Sequence, residues 1–328
     1  MRLLRIVPDN TNIGFVRLRF VAFAFTILLT LASITLIATR GLNLGVDFVG
    51  GLMIEAGFSQ PVQLDELRET VSGLNVGEIS LQQFGGPNNV AIRLPLPPGD
   101  ETAAQTVVKR VQATIAQKHP DVVFRRVDTV SGKVSGELIR NGIFAVLLAI
   151  AGIAVFTWAR FEWHFGVSTL VALFHDVIVT LGFFALTRLE FDLNVVAAIL
   201  TIVGYSLNDK IVIDDRIREN LRKYRQMEIG ALIDLSVNET LPRTVMTTMS
   251  MVLALGSLLI FGGEVIRGFT SAMLLGIVIG TYSSIYVSSS LLIALGIDRS
   301  TLAKRATPSL TPEINAERVT RRRDDPKA

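Results

Sequence analysis

His175 and Asp176 sit in the middle of the otherwise apolar run Phe165 to Thr187, and Asp209 lies within the run Leu193 to Ile213. Arg243, beside Pro242, stands at the head of a third run, Thr244 to Gly263. A charge at the centre of a bilayer-spanning helix costs at least ~2.5–3.5 kcal/mol, so such residues mark proton or ion pathways by default. Burial makes a carboxylate hold its proton, and a nearby guanidinium loosens it, so movement of Arg243 relative to Asp209 would switch proton affinity. Each proton crossing the membrane delivers about 2.3 kcal/mol per 100 mV. At 1.5 Å of rise per residue, Asp209 stands roughly 7–8 Å and Asp176 about 16 Å from the cytoplasmic edge, so a proton from outside would meet Asp176 first. Blander readings exist for each residue. Asp209 and Arg243 would form a static ion pair, and His175 and Asp176 a hydrogen-bonded packing pair. Lys210 would snorkel to the interface or partly neutralise Asp209, and Asp214, Asp215, Arg216, Arg218 and Glu219 would form a solvated helix end.

The elements that must hold these residues are membrane spans. Half of the 328 residues are hydrophobic, the mean hydropathy is +0.48, and the apolar residues come in blocks, as a bilayer requires. Charge-free runs cover Phe20 to Thr39, Asn141 to Ala159, Thr244 to Gly263 and Gly268 to Ile297. With the two runs that carry His175, Asp176 and Asp209 they make six spans, each about 20 residues or longer, enough to cross ~30 Å of hydrocarbon. The first run is longer than a signal-peptide core and ends in Ala38-Thr39-Arg40 without a small-residue cleavage site, so an uncleaved anchor is expected. Arg2, Arg5, Arg17 and Arg19 precede the first span, Arg216 to Arg225 follow the fourth, and Lys304, Arg305 and Arg321 to Arg323 follow the sixth. With six spans all of these fall on one side, which the positive-inside rule makes the cytoplasm, with both termini there. The expected organisation is a cytoplasmic segment 1–19, a first helix 20–39, a periplasmic domain 40–136, a five-helix membrane domain 137–297 and a basic cytoplasmic tail 298–328.

Segment 40–136 alternates strand and helix signals. Phe48 to Phe58 reads as a strand, Pro61 to Leu74 as a helix, and Glu78 to Phe84 and Val90 to Leu94 as a hairpin across Gly85 to Asn89. Asp100 to Lys118 reads as a second helix and Val122 to Val127 as a last strand. That order, β-α-β-β-α-β, is the split βαβ of a ferredoxin-like α+β domain, here between the first and second membrane helices. No catalytic cluster stands inside it, so a docking or moving part is expected. Gly276 and Gly280 match the small-residue spacing that lets membrane helices approach closely.

Composition narrows the function. The chain has no cysteine and its histidines, His119, His164 and His175, are scattered, which removes thiolate sites and zinc motifs and points to no metal, no cofactor and no enzyme. The net charge is only +3 and the basic residues sit in loops and tails, which gives no case for nucleic acid.

Taken together, these motifs resemble the SecD/SecF family of protein-export membrane proteins, and within it the SecF branch. Gly45-Val46-Asp47-Phe48-Val49-Gly50-Gly51 resembles its Gly-x-Asp-Phe-x-Gly-Gly signature. His175-Asp176-Val177, Val203 to Asp209 continuing to Asn220, and Glu239-Thr240-Leu241-Pro242-Arg243-Thr244 are similar to SecF segments. The resemblance spans nearly the whole chain. It implies a subunit in the bacterial inner membrane that pairs with SecD, associates with the SecYEG channel and YajC, and uses the proton-motive force on a translocating unfolded polypeptide among membrane lipids. It also implies kinship with the resistance-nodulation-division exporters. By matched position it makes Asp209 the proton-pathway aspartate and Arg243 its partner, with Asp176 and His175 as further members. Gly45, Asp47, Gly50 and Gly51 become the motif coupling membrane and external domain. Two positions depart from the pattern: Lys210 stands where a small polar residue is commoner, and Glu239 where Gln is. Adjacent residues lie about 100° apart on a helix, so Lys210 would either hold Asp209 ionised or point away from it. The rival readings are a component of a lipid or drug exporter, a passive assembly scaffold, and an intramembrane protease using Asp176 and Asp209.

Overall fold

The computed structural model describes residues 8, 11–74, 76, 77, 79–83, 86–97, 101–263 and 266–297. The basic tail, Arg2, Arg5, Glu78, Phe84, Gly85 and Asp100 lie outside the described residues. The chain begins with a 3-10 turn, Val16–Leu18, and α1 (Arg19–Arg40). It then builds a small domain from α2 (Val46–Val49), β1 (Gly51–Gly57), α3 (Leu64–Ser72), β2 (Ser80–Gln83), β3 (Asn89–Leu94), α4 (Glu101–Lys118) and β4 (Val123–Val130). The remainder is α5 (Gly132–Arg160), α6 (Trp163–Thr187), α7 (Leu193–Lys223), α8 (Ile229–Phe261), α9 (Arg267–Tyr282), a π-helical segment Ser283–Ser288 and α10 (Ser289–Ala294). Among the described residues six segments are long and apolar enough to span a bilayer: α1 with its lead-in turn, α5, α6, α7, α8, and α9 continued to Ala294.

Burial sorts these spans into layers. α5 leaves Phe144, Leu148 and Trp158 exposed, and α1 leaves Phe20 and Leu28 exposed, as lipid-facing helices do. α6 and the α9–α10 span are the most buried, with α7 between them. Gly276 explains how α9 comes so close to α7: a Cβ there would stand 2.4 Å from Ile202. Gly280, one turn on, faces Ser206 in the same way at 3.0 Å. The small-residue spacing therefore sets the separation of the two helices that meet over the polar site.

The small domain has the ferredoxin-like topology, a four-stranded antiparallel sheet in the order β2-β3-β1-β4. Leu52, Ile54, Ile92 and Val90 face Leu67, Val71, Val111 and Ile115 of α3 and α4 in one core. All seven residues of β1 are buried rather than alternate ones, because the sheet's other face is covered as well. Met53 and Ala91 there pack on Val46 of α2, and Arg93 reaches Glu190 in the α6–α7 loop at 3.3 Å.

Element boundaries differ from the expectation at several points, among them α5, which begins at Gly132 rather than Asn141. The strand expected from Phe48 starts only at Gly51, since Val46–Val49 forms one helical turn. Gly50 (φ 75°) and Gly51 (φ 114°) make the break, in a region that side-chain-bearing residues rarely adopt. α7 runs ten residues past Ile213, to Lys223, and α8 begins at Ile229, well before Thr244. The extensions are polar on one face and buried on the other, a pattern that charge-free runs do not detect. Pro242 lies inside α8 and cannot hydrogen-bond the carbonyl of Asn238 one turn back. The N-terminal segment docks at that point: Ile13 N–H donates to Asn238 Oδ1 and Val16 N–H to Asp234 Oδ1, both at 2.9 Å.

Candidate functional site

Two groups of polar residues stand out in the bundle. The first is Asp176 on α6 with Lys210 on α7, both with no solvent exposure. Lys210 Nζ donates to Asp176 Oδ2 at 3.0 Å, to Ser283 Oγ at 3.0 Å and to Ser206 Oγ. Ser206 and Ser283 donate in turn to Asp176 Oδ2 at 2.6 and 2.9 Å, and His175 Nδ1 lies 3.1 Å from Oδ1. All three ammonium protons have acceptors, and the carboxylate has a partner on each oxygen, the condition for holding a charge pair away from water. Ser283 opens the π-helical segment, a rare turn type that recurs at functional positions.

Helix direction explains this pairing. Side chains on an α-helix lean toward its N-terminus. α7 starts at Leu193 beside the sheet domain, so Lys210 leans outward, past Ser206 one turn back, and meets Asp176. Lys210 is therefore neither a snorkelling residue nor the direct partner of Asp209, and it is the functional candidate that the apolar-run reading underrated. The lean of α7 and the i, i−4 spacing of Ser206 were the signals available for it.

Asp209 and Arg243 are placed differently. Asp209 is buried at 3% exposure, and its Oδ2 has no hydrogen-bond partner among the described residues. No ion pair within 4 Å joins it to Arg243, which is exposed. α8 runs antiparallel to α7, toward the sheet-domain side of the bundle, so Arg243 leans the opposite way from Asp209. It lines a cavity of about 970 Å³ with Asp215, Arg216, Glu219, Arg222 and Glu239. In that cavity Arg216 bonds Glu239 at 2.7 Å and Glu219 at 2.6 Å, and Asn220 Nδ2 donates to Glu239 at 2.7 Å. The polar stretch Asp214 to Glu219 is thus not uniformly solvated. Asp214 is buried at 2% exposure and accepts from Thr169 Oγ1 at 3.3 Å. Asp176 and Asp209 do not form the proton-sharing dyad an aspartyl protease requires, since Lys210, two serines and His175 already occupy Asp176.

The glycine-aspartate motif sits where the sheet domain meets the bundle. Gly45 N–H donates to Phe191 O at 2.9 Å and Phe191 N–H to Asn43 O at 2.8 Å, a short parallel bridge to the α6–α7 loop. A Cβ on Gly45 would stand 2.7 Å from Glu190 Oε1, so glycine admits that carboxylate. Asp47 Oδ2 accepts from Leu193 N–H and Asp192 Oδ1 from Val195 N–H, both at 3.0 Å. Two carboxylates thereby cap the first turn of α7, the helix that carries Lys210 and Asp209. On the sheet side, Arg93 bonds Glu190 and Asn43 at 3.3 Å. Asn43 Nδ2 donates to Arg188 O at 2.9 Å, and Gln82 Nε2 to the same carbonyl at 3.2 Å. Gly50 packs against the start of α5, its Cβ position 3.3 Å from Gly132 Cα. Burial pushes the Glu190 and Asp192 carboxyls up from their ordinary values, against the pull of Arg93 on Glu190 and of the Val195 N–H bond on Asp192.

Comparison with known proteins follows the same lines. Residues 110–298 match the family model described as protein export membrane protein SecD/SecF, C-terminal, and residues 35–62 match the SecD/SecF GG motif. The protein translocase subunit SecF of Cereibacter sphaeroides is 44% identical over 302 residues, covering 90% of this chain and 93% of the relative. That of Rickettsia bellii is 41% identical over 290 residues, covering 88% and 95%. Among solved structures, the crystal structure of SecDF, a translocon-associated membrane protein from Thermus thermophilus, superposes with a TM-score of 0.80 at 34% identity. That match covers 88% of this chain and 39% of the SecDF chain. SecDF in its super-membrane-facing form gives a TM-score of 0.63 at 33% identity, over 93% and 41% of the two chains. This chain thus spans about two fifths of the length of the solved SecDF chains.

Proposed function

This chain belongs to the SecD/SecF protein-export family, on its SecF branch, and from that premise we propose that it works with SecD to turn proton flow into protein translocation. It is a multi-pass membrane protein and a translocase subunit rather than a classical enzyme. The observation that carries the proton role is the carboxylate of Asp209, whose Oδ2 has no hydrogen-bond partner among the described residues, buried in the bundle next to Lys210 and on the helix whose N-terminus is held by the sheet domain. A carboxylate without fixed partners can change protonation with little rearrangement, whereas the proton it binds changes the local charge by one unit. Arg243, poised in the cytoplasmic cavity, supplies a cation that can swing toward Asp209 when the helices shift. His175 and Asp176 complete the proton path on the outer side. Gly45, Asp47, Gly50 and Gly51 transmit α7 movement to the sheet domain, which acts on the emerging polypeptide.

The basic segments beside the first, fourth and sixth spans support a topology with both termini in the cytoplasm and the sheet domain in the periplasm of a bacterial inner membrane. The domain limits follow as 1–19, 20–39, 40–136, 137–297 and 298–328. SecYEG, YajC and the surrounding lipid complete the working assembly. The test is Asp209→Asn in membranes holding SecD and the SecYEG channel, with release of a secretory protein measured with and without a proton gradient. The gradient-dependent stimulation is expected to disappear while assembly is normal. Unchanged stimulation would mean that Asp209 is a structural residue.

A further inference from the structure

Lys210 is among the largest side chains with essentially no exposure in the described residues. Replacing it by an apolar residue, together with a neutral partner, would remove the desolvation cost of both charges, so a pair kept only for packing is poorly motivated. Its surroundings are organised along one line. Outward of Lys210 on its own helix is Ser206, then Asp176 with His175 on α6, and Ser283 at the head of the π-helical segment. Inward by one turn on the same face of α7 is Asp214, buried and bonded by Thr169. Ser168 and Ser288, bonded at 3.4 Å, continue the polar lining at that level. Asp209 lies on the adjoining face, with Arg243 the nearest charge on α8. The α9 span presents only hydroxyls, Ser283 and Ser288, to this line.

Resting on the reading of this chain as a proton-driven export subunit, we propose that Asp176, the outer member of the path, also feeds a second branch that bypasses Asp209 and runs through Lys210 to Asp214, with Lys210 handing a proton between the two carboxylates. The steps balance. A proton from the outer side forms an O–H bond on Asp176, which removes the negative charge facing Lys210. An ammonium left unpaired in an apolar interior is costly, so Lys210, released from Asp176, swings inward along α7, breaks one N–H bond and gives that proton to the carboxylate of Asp214. The neutral amine then takes the proton of Asp176, restoring the ion pair, and Asp214 releases its proton toward the cytoplasm. One proton enters and one leaves, with no net change in the site. Asp209 and this line share α7, so blocking either one stops the same helix movement.

The test uses the full complex with SecD and the channel in proteoliposomes, with gradient stimulation of secretory-protein release as the readout. Lys210→Arg keeps the cation and its bond to Asp176, but a guanidinium does not give up its proton. Loss of gradient stimulation in an assembled Lys210→Arg complex is expected, and retained stimulation would overturn the proposal. The double variant Lys210→Met with Asp176→Asn removes both charges at once, and it too is expected to lose stimulation. Infrared difference spectra of the Asp209→Asn complex on acidification depend on neither variant folding. A buried carboxylic-acid band that rises in Asp209→Asn and disappears when Asp214→Asn is added supports the second site, and a band unchanged by Asp214→Asn overturns it. If the unsubstituted complex shows no gradient stimulation, the proton-driven reading itself falls. If Asp209→Asn abolishes stimulation and Lys210→Arg does not, only the second site falls.

Discussion

Asp176 with Lys210 and Asp209 with Arg243 are two acid–base pairs in one bundle, one closed and one open. The closed pair joins two helices, α6 and α7, and every polar atom around it except His175 Nε2 finds a partner. The open pair also lies on neighbouring helices, α7 and α8, yet its carboxylate Oδ2 is unmatched among the described residues and its arginine turns to the polar cavity lined by Arg216 and Glu239. Both follow from the lean of side chains toward helix N-termini. Lys210 leans outward to an aspartate that sits further out on its neighbour. Arg243 and Asp209 lean apart. The closed pair can pass a proton only by breaking and remaking its bonds, whereas the open one can change protonation without losing any, so the two groups suit different steps.

The largest expected effect breaks the closed pair on one side. Asp176→Ala leaves Lys210 charged and buried without a counterion, and the membrane domain should lose ~3–5 kcal/mol, read as a fall in melting temperature in detergent and in accumulation in the membrane. A smaller loss should come from Gly280→Ala, whose new Cβ would stand 3.0 Å from Ser206 Oγ. Displacing that hydroxyl by a few tenths of an ångström should cost about 1–2 kcal/mol in melting experiments. Asp209→Asn should cost less than ~1 kcal/mol, because it removes a carboxylate whose Oδ2 has no bond to lose, while its effect falls on gradient coupling. Equal destabilisation by Asp176→Ala and Asp209→Asn would erase the distinction between closed and open pairs.

The smallest effect is at the joint between sheet and bundle. Glu190 and Asp192 are pushed up by burial, so their protonated forms are favoured when the domain is docked. The docked state then has its full stability below the ordinary carboxylate range and loses it as pH rises through their raised values. Protection of the Gly45 and Phe191 amides, which bridge the joint, relative to the exchange of a free amide at the same pH, should therefore rise as the sheet-domain side is acidified. Protection that falls on acidification would put the dominant charge elsewhere.

Much of the architecture was readable in the chain. The spans show as charge-free runs because the bilayer imposes its length on each helix. The sheet topology followed from the order of periodicities, and Gly276 and Gly280 marked a close helix contact that the structure places between α9 and α7. The helical extensions Asp214–Lys223 and Ile229–Arg243 were hidden, since an amphipathic helix continuing beyond the membrane carries charges that read as loop. Asp214 was misread as solvated for the same reason.

By itself the sequence determined which residues are ionisable within the membrane, how many spans carry them, and that glycines and an aspartate stand between the first span and the sheet domain. Those properties depend on residue type and on spacing along one helix, which are local. Which ionisable groups meet was decided only by tertiary structure. Pairing depends on the rotation, depth and direction of neighbouring helices, and these are set by packing such as Gly276 on Ile202. One turn of difference between helices was enough to give Lys210 to Asp176 and to leave Asp209 with an open side.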